Sequence, residues 1–237
     1  MTGPAGAVLF DLDGTLVDTP GGMTQVLRAV LRETGREVAD DRLRATVGRP
    51  LAASFAGLLG LPADHRDVGR AVGRARELFT ETVIPTARDL VFPGVPELLA
   101  RLREQGRPLA IVTSKVRTSA EELLGATGLA DAFDTLSCHG MAARGKPHGD
   151  LALLAAAALD TPPGRCVVVG DAVDDMSMAR AAGMTGYGVD YGVATEGELR
   201  TAGARDVVGS AGALPALLGC ADRPSSGLTA TGPPAVR

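Results

Sequence analysis

The sequence predicts an α/β fold: a parallel sheet covered on both faces by helices, with a small helical domain inserted after the first strand. Three observations carry this reading. Short, continuous apolar runs recur along the chain, each ending in Asp, Thr or Gly, as expected of strands buried on both faces. Between them lie stretches with apolar residues three and four positions apart, the period of a helix with one buried face. One long segment, residues 18–92, keeps the helical period and contains no convincing strand. Alternation of strand and helix everywhere else argues for a parallel sheet.

Taken in order, the first run is Ala7 to Phe10, ending at Asp11. The insert follows. Met23, Val26, Leu27, Val30 and Leu31 form one helical stripe, ended by Gly35, and Val68, Ala71, Val72, Ala75, Phe79 and Val83 form another. Asp18–Gly22 and Pro85–Gly94, rich in Pro and Gly, are expected to be its hinges. Eleven Arg and ten acidic residues alternate through it and read mostly as a solvated face. Val95, Leu98, Leu99 and Leu102 share a helix face that Gly106 stops. Leu109 to Val112 is a second strand ending at Thr113, Leu151, Leu154, Ala155 and Ala158 mark a helix, and Cys166 to Val169 is a third strand ending at Gly170 and Asp171. Met184 to Val189, with two glycines, is the fourth. The tail from Ala221, rich in Pro, Gly, Ser and Thr, is expected to be disordered. The expected boundaries are residues 1–17 and 93–220 for the core, 18–92 for the helical insert and 221–237 for the tail.

Composition bounds the function. With 45% hydrophobic and 22% charged residues, the 237-residue chain has material for a real core, and 3% aromatics without Trp make that core aliphatic. A net charge of −4 argues against broad electrostatic binding to nucleic acid or to an anionic membrane. No apolar run approaches the roughly 18 residues of a membrane span, and the opening residues lack the pattern of a signal peptide. Three cysteines without a Cys-x-x-Cys argue against a disulfide framework or a zinc finger, and a cytoplasmic location is expected.

Four segments carry chemistry. Asp11-Leu12-Asp13-Gly14-Thr15 sets two carboxylates two residues apart where a buried strand ends, the place where open α/β sheets bind ligands. Such acids repel unless a cation or a shared proton relieves them, although Asp and Gly also suit an ordinary turn. Gly170-Asp171 with Asp174 and Asp175 repeats the pattern at a second strand end and suits an oxygen-ligand Mg2+ site. Acids at a helix N-terminus explain part of it, Asp174 above all. Thr113-Ser114-Lys115 offers hydroxyls and backbone N–H groups to an anion, or a helix cap. Gly145-Lys146-Pro147 brings a compact cation, or a surface lysine. Lys115 and Lys146 are the only lysines among 24 basic residues.

Other signals fall away. Gly140 to Lys146 fits seven positions of a phosphate-binding loop, but Pro147 at the eighth has neither hydroxyl nor N–H. Gly186, Gly188 and Gly192 miss the spacing of a dinucleotide fingerprint. His65, His139 and His148 have no metal-ligand spacing and read as loop histidines, and Cys138 reads as a small buried hydrophobe.

Together, in this order, the four segments resemble the motifs of the haloacid dehalogenase superfamily of phosphotransferases over residues 7–219. Asp11-x-Asp13-Gly14-Thr15 is similar to the first motif, Thr113 with Ser114 to the second, Lys146-Pro147 to the third, and Gly170-Asp171 with Asp175 to the fourth. The insert resembles the small α-helical cap of the phosphoglycolate-phosphatase-like branch. Gly149 stands where that branch often has Pro, and Ala172 where Ser or Thr is common.

The resemblance implies a Rossmann-like core with an inserted α-helical cap, and a Mg2+-dependent phosphomonoesterase acting on a small phosphorylated metabolite. Asp11 is then the nucleophile that forms an aspartyl-phosphate, and Asp13 the general acid and base. Asp11, the backbone carbonyl of Asp13, and Asp171 hold Mg2+. Asp175 supports the metal shell or orients Lys146. Thr113, Ser114 and Lys146 bind the phosphoryl oxygens, and Gly14, which turns the chain, is a substrate-binding position beside them. Arg49, in the stiff loop Val47-Gly48-Arg49-Pro50 of the insert, is expected to meet a second anionic group on the substrate or to be an exposed surface residue. Asp13 argues against a dehalogenase, and an insert without Lys argues against a phosphonate-cleaving enzyme. A sugar-phosphate mutase shares all four motifs, and a non-catalytic metabolite-binding module is the remaining alternative. Neither nucleic acid nor membrane is expected as a partner, and the expected state is a monomer or homodimer.

Overall fold

The computed structural model describes residues 6–220. The tail from Ala221 expected to be disordered therefore lies outside the described residues. Six strands form one parallel sheet in the order β3-β2-β1-β4-β5-β6: β1 (Val8–Phe10), β2 (Leu109–Thr113), β3 (Thr135–Cys138), β4 (Val167–Gly170), β5 (Thr185–Val189) and β6 (Asp206–Val208). The central strand β1 pairs Leu9 with Ala110 of β2 on one side and with Val168 of β4 on the other. Because successive side chains alternate between faces, Val8 and Phe10 enter one apolar layer and Ala7 and Leu9 the other.

The first layer packs under α5 (Val95–Glu104) and α6 (Arg117–Thr127), through Leu98, Leu102, Leu123 and Leu124. The second packs under α7 (Asp150–Ala158) and α8 (Val173–Ala181), through Leu151, Ala155, Met178 and Ala179. Strands covered on both sides cannot alternate in polarity, and the continuous runs of β1, β2 and β4 follow from that. A short helix α9 (Glu196–Ala202) and a final turn α10 (Leu214–Leu217) complete the core.

Two of the six strands were not legible. β3 is Thr-Leu-Ser-Cys and half exposed at its start, and β6 is a three-residue strand of partly buried residues. Both are edge strands, and a strand with one open edge does not need a continuous apolar run. The expected face of α7 is also corrected. Leu151 and Ala155 are buried, but Ala152 and Ala156 complete the buried face, whereas Leu154 is half-buried and Ala158 exposed. In so alanine-rich a helix, hydrophobicity does not single out one face.

The insert holds α1 (Pro20–Glu33), α2 (Asp40–Arg44), α3 (Leu51–Leu59) and α4 (Arg66–Thr82), packed around an apolar cluster of its own that includes Leu27, Leu31, Leu43, Phe55, Val68 and Phe79. This is an α-helical cap on a Rossmann-like core. The segment expected as the first hinge is partly helix, because Pro20 opens α1, where its missing N–H costs nothing. The chain leaves and re-enters the core along one path. Asp18 N–H donates to the Leu90 carbonyl at 2.7 Å and Phe92 N–H to the Leu16 carbonyl at 3.0 Å, so the two connections run side by side.

Phe55 is wholly buried in the insert's cluster. Phe55→Ala should destabilise the folded chain by about 3–5 kcal/mol, read as a fall in the urea midpoint or in Tm. A change under about 1 kcal/mol would show that the insert does not depend on this cluster.

Candidate active site

In the order 3-2-1-4-5-6 the chain reverses its direction of travel across the sheet between β1 and β4, and a crevice opens there beyond the carboxyl ends of the strands. The four sequence segments meet in it. Asp11 follows β1, Thr113 ends β2, and Asp171 follows β4. Asp175 lies in the first turn of α8, and Lys146 arrives on the loop between β3 and α7.

The carboxylates of Asp11, Asp171 and Asp175 are buried, with one oxygen of each within 4.8 Å of the others. Lys146 enters among them, its Nζ 2.5 Å from Asp11 Oδ1 and 2.6 Å from Asp175 Oδ1. Burial opposes the charge of Lys146, but Asp11 and Asp175 outweigh it and raise the ammonium's pKa above the usual lysine range. Desolvation by burial pushes Asp171 up to about 7, with the Asp175 charge adding to it. Burial likewise raises Asp11, against the pull of Lys146.

Backbone and hydroxyl donors hold the cluster in place. Thr15 Oγ1 donates to Asp171 Oδ1 at 2.9 Å and Val193 N–H to Asp171 Oδ2 at 2.9 Å. Ala172 N–H donates to Asp175 Oδ2 at 3.1 Å. Gly14, with φ of +84°, sits behind this group: a Cβ on it would lie 2.1 Å from Asp171 Oδ2. Gly14 is not part of the cavity lining, which corrects its expected substrate-binding place. It turns the chain and makes room for Asp171.

Asp13 stands apart from this cluster. Its Oδ1 accepts a very short hydrogen bond from the Thr19 hydroxyl and pairs with Lys115 Nζ at 3.2 Å. The Lys115 ammonium also lies over the Phe79 ring of α4, 4.2 Å from its centroid. Thr113 Oγ1 accepts from the Lys115 N–H at 3.1 Å. The sequence drew attention to Lys115 by its rarity but assigned it no role, and it missed the holding roles of Thr15 and Thr19.

A cavity of about 330 Å3 lies between these groups and the insert. Asp11, Asp13, Thr113, Ser114, Lys146, Asp171 and Asp175 line it from the core, and Arg49 from the insert. Arg49 is an exposed residue at this lining. His139, read as a loop histidine, also reaches the lining, whereas His148 and His65 are not part of it. Cys138, Cys166 and Cys220 are free thiols, all buried. No helix among the described residues is long and apolar enough to cross a membrane.

The family model for haloacid dehalogenase-like hydrolases matches residues 5–183. The chain belongs to this family. It is 43% identical over 215 residues to a probable phosphatase, IndB, of Dickeya dadantii, covering 87% of this chain and 94% of that one. It is 35% identical over 218 residues to a plasmid-borne phosphoglycolate phosphatase of Cupriavidus necator, covering 91% and 94%. A crystal structure of a haloacid dehalogenase-like hydrolase from Bacteroides fragilis superposes with a TM-score of 0.80 at 26% identity, over 90% of this chain and all of that one. In this company the chain is a phosphoric monoester hydrolase.

Gly14→Ala should lose at least about 1 kcal/mol of stability, since Ala is strained at positive φ, and should lose most phosphatase activity as Asp171 is pushed aside. Thermal melts and phosphate release check both. A variant with wild-type turnover would show that the packing behind Asp171 is loose.

Proposed function

We propose that this enzyme is a Mg2+-dependent phosphomonoesterase that hydrolyses a small phosphorylated metabolite through an aspartyl-phosphate on Asp11. The observation that carries the reading is the division of two neighbouring carboxylates between two environments. Asp11 is buried in the acidic cluster beside Lys146, whereas Asp13 faces the cavity outside that cluster, held by Thr19 and Lys115. One placement suits a nucleophile and the other a proton carrier.

The donor set fits Mg2+. All three side chains offer oxygen, the hard ligand that Mg2+ prefers. Three buried carboxylates face the single positive charge of Lys146, an excess that a divalent cation matches. Asp11 and Asp171 would hold the ion with the Asp13 carbonyl, and Asp175 would support them while orienting Lys146. Bound there, Mg2+ supplies charge shielding for the approach of a carboxylate to an anionic phosphate.

The chain's own residues do the rest. The Asp11 carboxylate attacks phosphorus, and the bond from phosphorus to the substrate alcohol breaks. Asp13 gives its proton to the departing oxygen. Asp13 then takes a proton from water as that water attacks phosphorus, breaking the bond to Asp11 and releasing inorganic phosphate. Thr113, whose oxygen already accepts from the Lys115 N–H, has its hydroxyl proton to donate. With Ser114 and Lys146 it binds the phosphoryl oxygens. Arg49 on the cavity lining meets a second anionic or polar group of the substrate.

Asp11→Asn should fold normally and lose turnover by at least a thousandfold, because an amide does not form the acyl-phosphate. Activity within tenfold of wild type, about 1.4 kcal/mol in barrier, would overturn the assignment. Phosphate release to water, followed without a bisphosphate primer, separates this reading from a mutase.

Activity should be lost in EDTA and return with Mg2+. Because Asp171 is raised to about 7, the metal-free native state holds that proton more tightly than the unfolded chain does. Its stabilising contribution is present below the ordinary carboxylate range and is lost as pH rises through about 7. Mg2+ competes with the proton, so its gain in Tm should be larger at pH 8 than at pH 6. Equal gains would argue that the ion binds elsewhere.

Arg49→Ala should raise KM several-fold for a substrate with a second anionic group and leave p-nitrophenyl phosphate nearly unchanged. Equal effects on both would reject Arg49 as a recognition residue.

A further inference from the structure

We infer that the alcohol half of the substrate is a bulky body with an apolar face, about the size of a ring, rather than a short polar acid. This rests on the phosphatase reading above and concerns the far side of the same cavity.

Size is the first argument. The cavity of about 330 Å3 falls within the roughly 300–1,000 Å3 range of pockets that enclose ligands of drug size. A phosphorylated two-carbon acid, with about nine non-hydrogen atoms, leaves a substantial part of it unfilled.

The second argument is the chemistry of the wall. Opposite the acidic floor, the insert presents Met23 and Leu27 of α1, Val47 and Leu51 around the loop, and Val72 and Phe79 of α4. Leu27, Val72 and Phe79 are buried members of the insert's own apolar cluster, and Met23, Val47 and Leu51 pack against it. The wall is thus the inner surface of a packed core, not a loose loop. A carboxylate turned toward it would lose hydration without gaining a partner, whereas an apolar face would be buried favourably.

Two polar side chains of the lining, Ser54 and Glu122, already have partners. Ser54 already donates to the Thr46 carbonyl at 3.0 Å, and Glu122 already accepts from the Thr80 hydroxyl at 2.9 Å. The cations of the insert on this lining, Arg49 and Arg76, are both exposed residues, placed for a polar far end. The pattern is phosphate on the floor, an apolar body against α1 and α4, and any further polar group toward the two arginines.

Primary alkyl phosphates with comparable leaving oxygens test this. Phosphoglycolate, glucose 6-phosphate and 2-phenylethyl phosphate would be compared with the full-length enzyme and Mg2+ by phosphate release. The expected result is a kcat/KM for 2-phenylethyl phosphate at least tenfold above that for phosphoglycolate and above that for glucose 6-phosphate. Met23→Glu, which puts a charge on the wall, should collapse that preference, and Met23→Leu should keep it. Phosphoglycolate or glucose 6-phosphate hydrolysed as well as 2-phenylethyl phosphate would overturn the inference while leaving the phosphatase reading standing. So would a Met23→Glu enzyme, folded by its melt, that keeps the full preference. The wild-type comparison decides alone if that variant does not fold. Phosphate release from none of the esters would instead overturn the phosphatase reading itself.

Discussion

Three buried carboxylates brought within 4.8 Å of one another set the terms for everything around them. Like charges at that distance repel strongly where the local dielectric is low, and burial penalises each of them further. The structure answers with a buried ammonium, two backbone N–H groups and a threonine hydroxyl, which share out the oxygens of the three carboxylates. Space is part of the answer as well. Side chains at Gly14 and at Gly170, whose Cβ would lie 2.4 Å from the Asp175 carboxyl carbon, would occupy the carboxylates' own positions. The motif glycines are therefore consequences of the charge cluster.

The same constraint explains the two lysines in an arginine-rich chain. A guanidinium is a broad planar fork, whereas an ammonium is a compact point charge. Lys146 must fit between Asp11 and Asp175 at 2.5 and 2.6 Å, in a space where its side chain is almost wholly buried. Lys115 must reach Asp13 while lying over the face of the Phe79 ring. Elsewhere the basic residues are all Arg, many of them in exposed pairs such as Arg74 with Glu33 and Arg200 with Glu196. Such surface pairs contribute little to stability, so the exposed surface does not demand lysine as the site does.

Lys115 also shows how insert and core depend on each other. It joins an acid of the core to an aromatic ring of α4, so the position of the insert is felt at Asp13. The paired connections around Asp18 and Phe92 keep the two parts adjoining at one edge of the crevice. Between them the cavity has a polar, charged floor and a largely apolar wall. The core and the insert thus give the cavity faces of different chemistry.

The sequence by itself determined the central strands and the acids at their ends. β1, β2 and β4 are buried on both faces, so their residues must be apolar throughout, and the first polar residue after each run marks the rim of the crevice. Asp11, Thr113 and Asp171 were legible for that reason, and Lys146 by its rarity in an arginine-rich chain. The edge strands β3 and β6 were not, because a partly exposed strand tolerates Thr, Ser and Asp and leaves no run to read. Tertiary structure alone decided the pairing of Lys115 with Asp13 and Phe79, the burial of Asp171 under Thr15 and Val193, and the apolar wall facing the acids. Each joins residues distant along the chain, and no local period encodes how an inserted bundle folds back over the strand that precedes it.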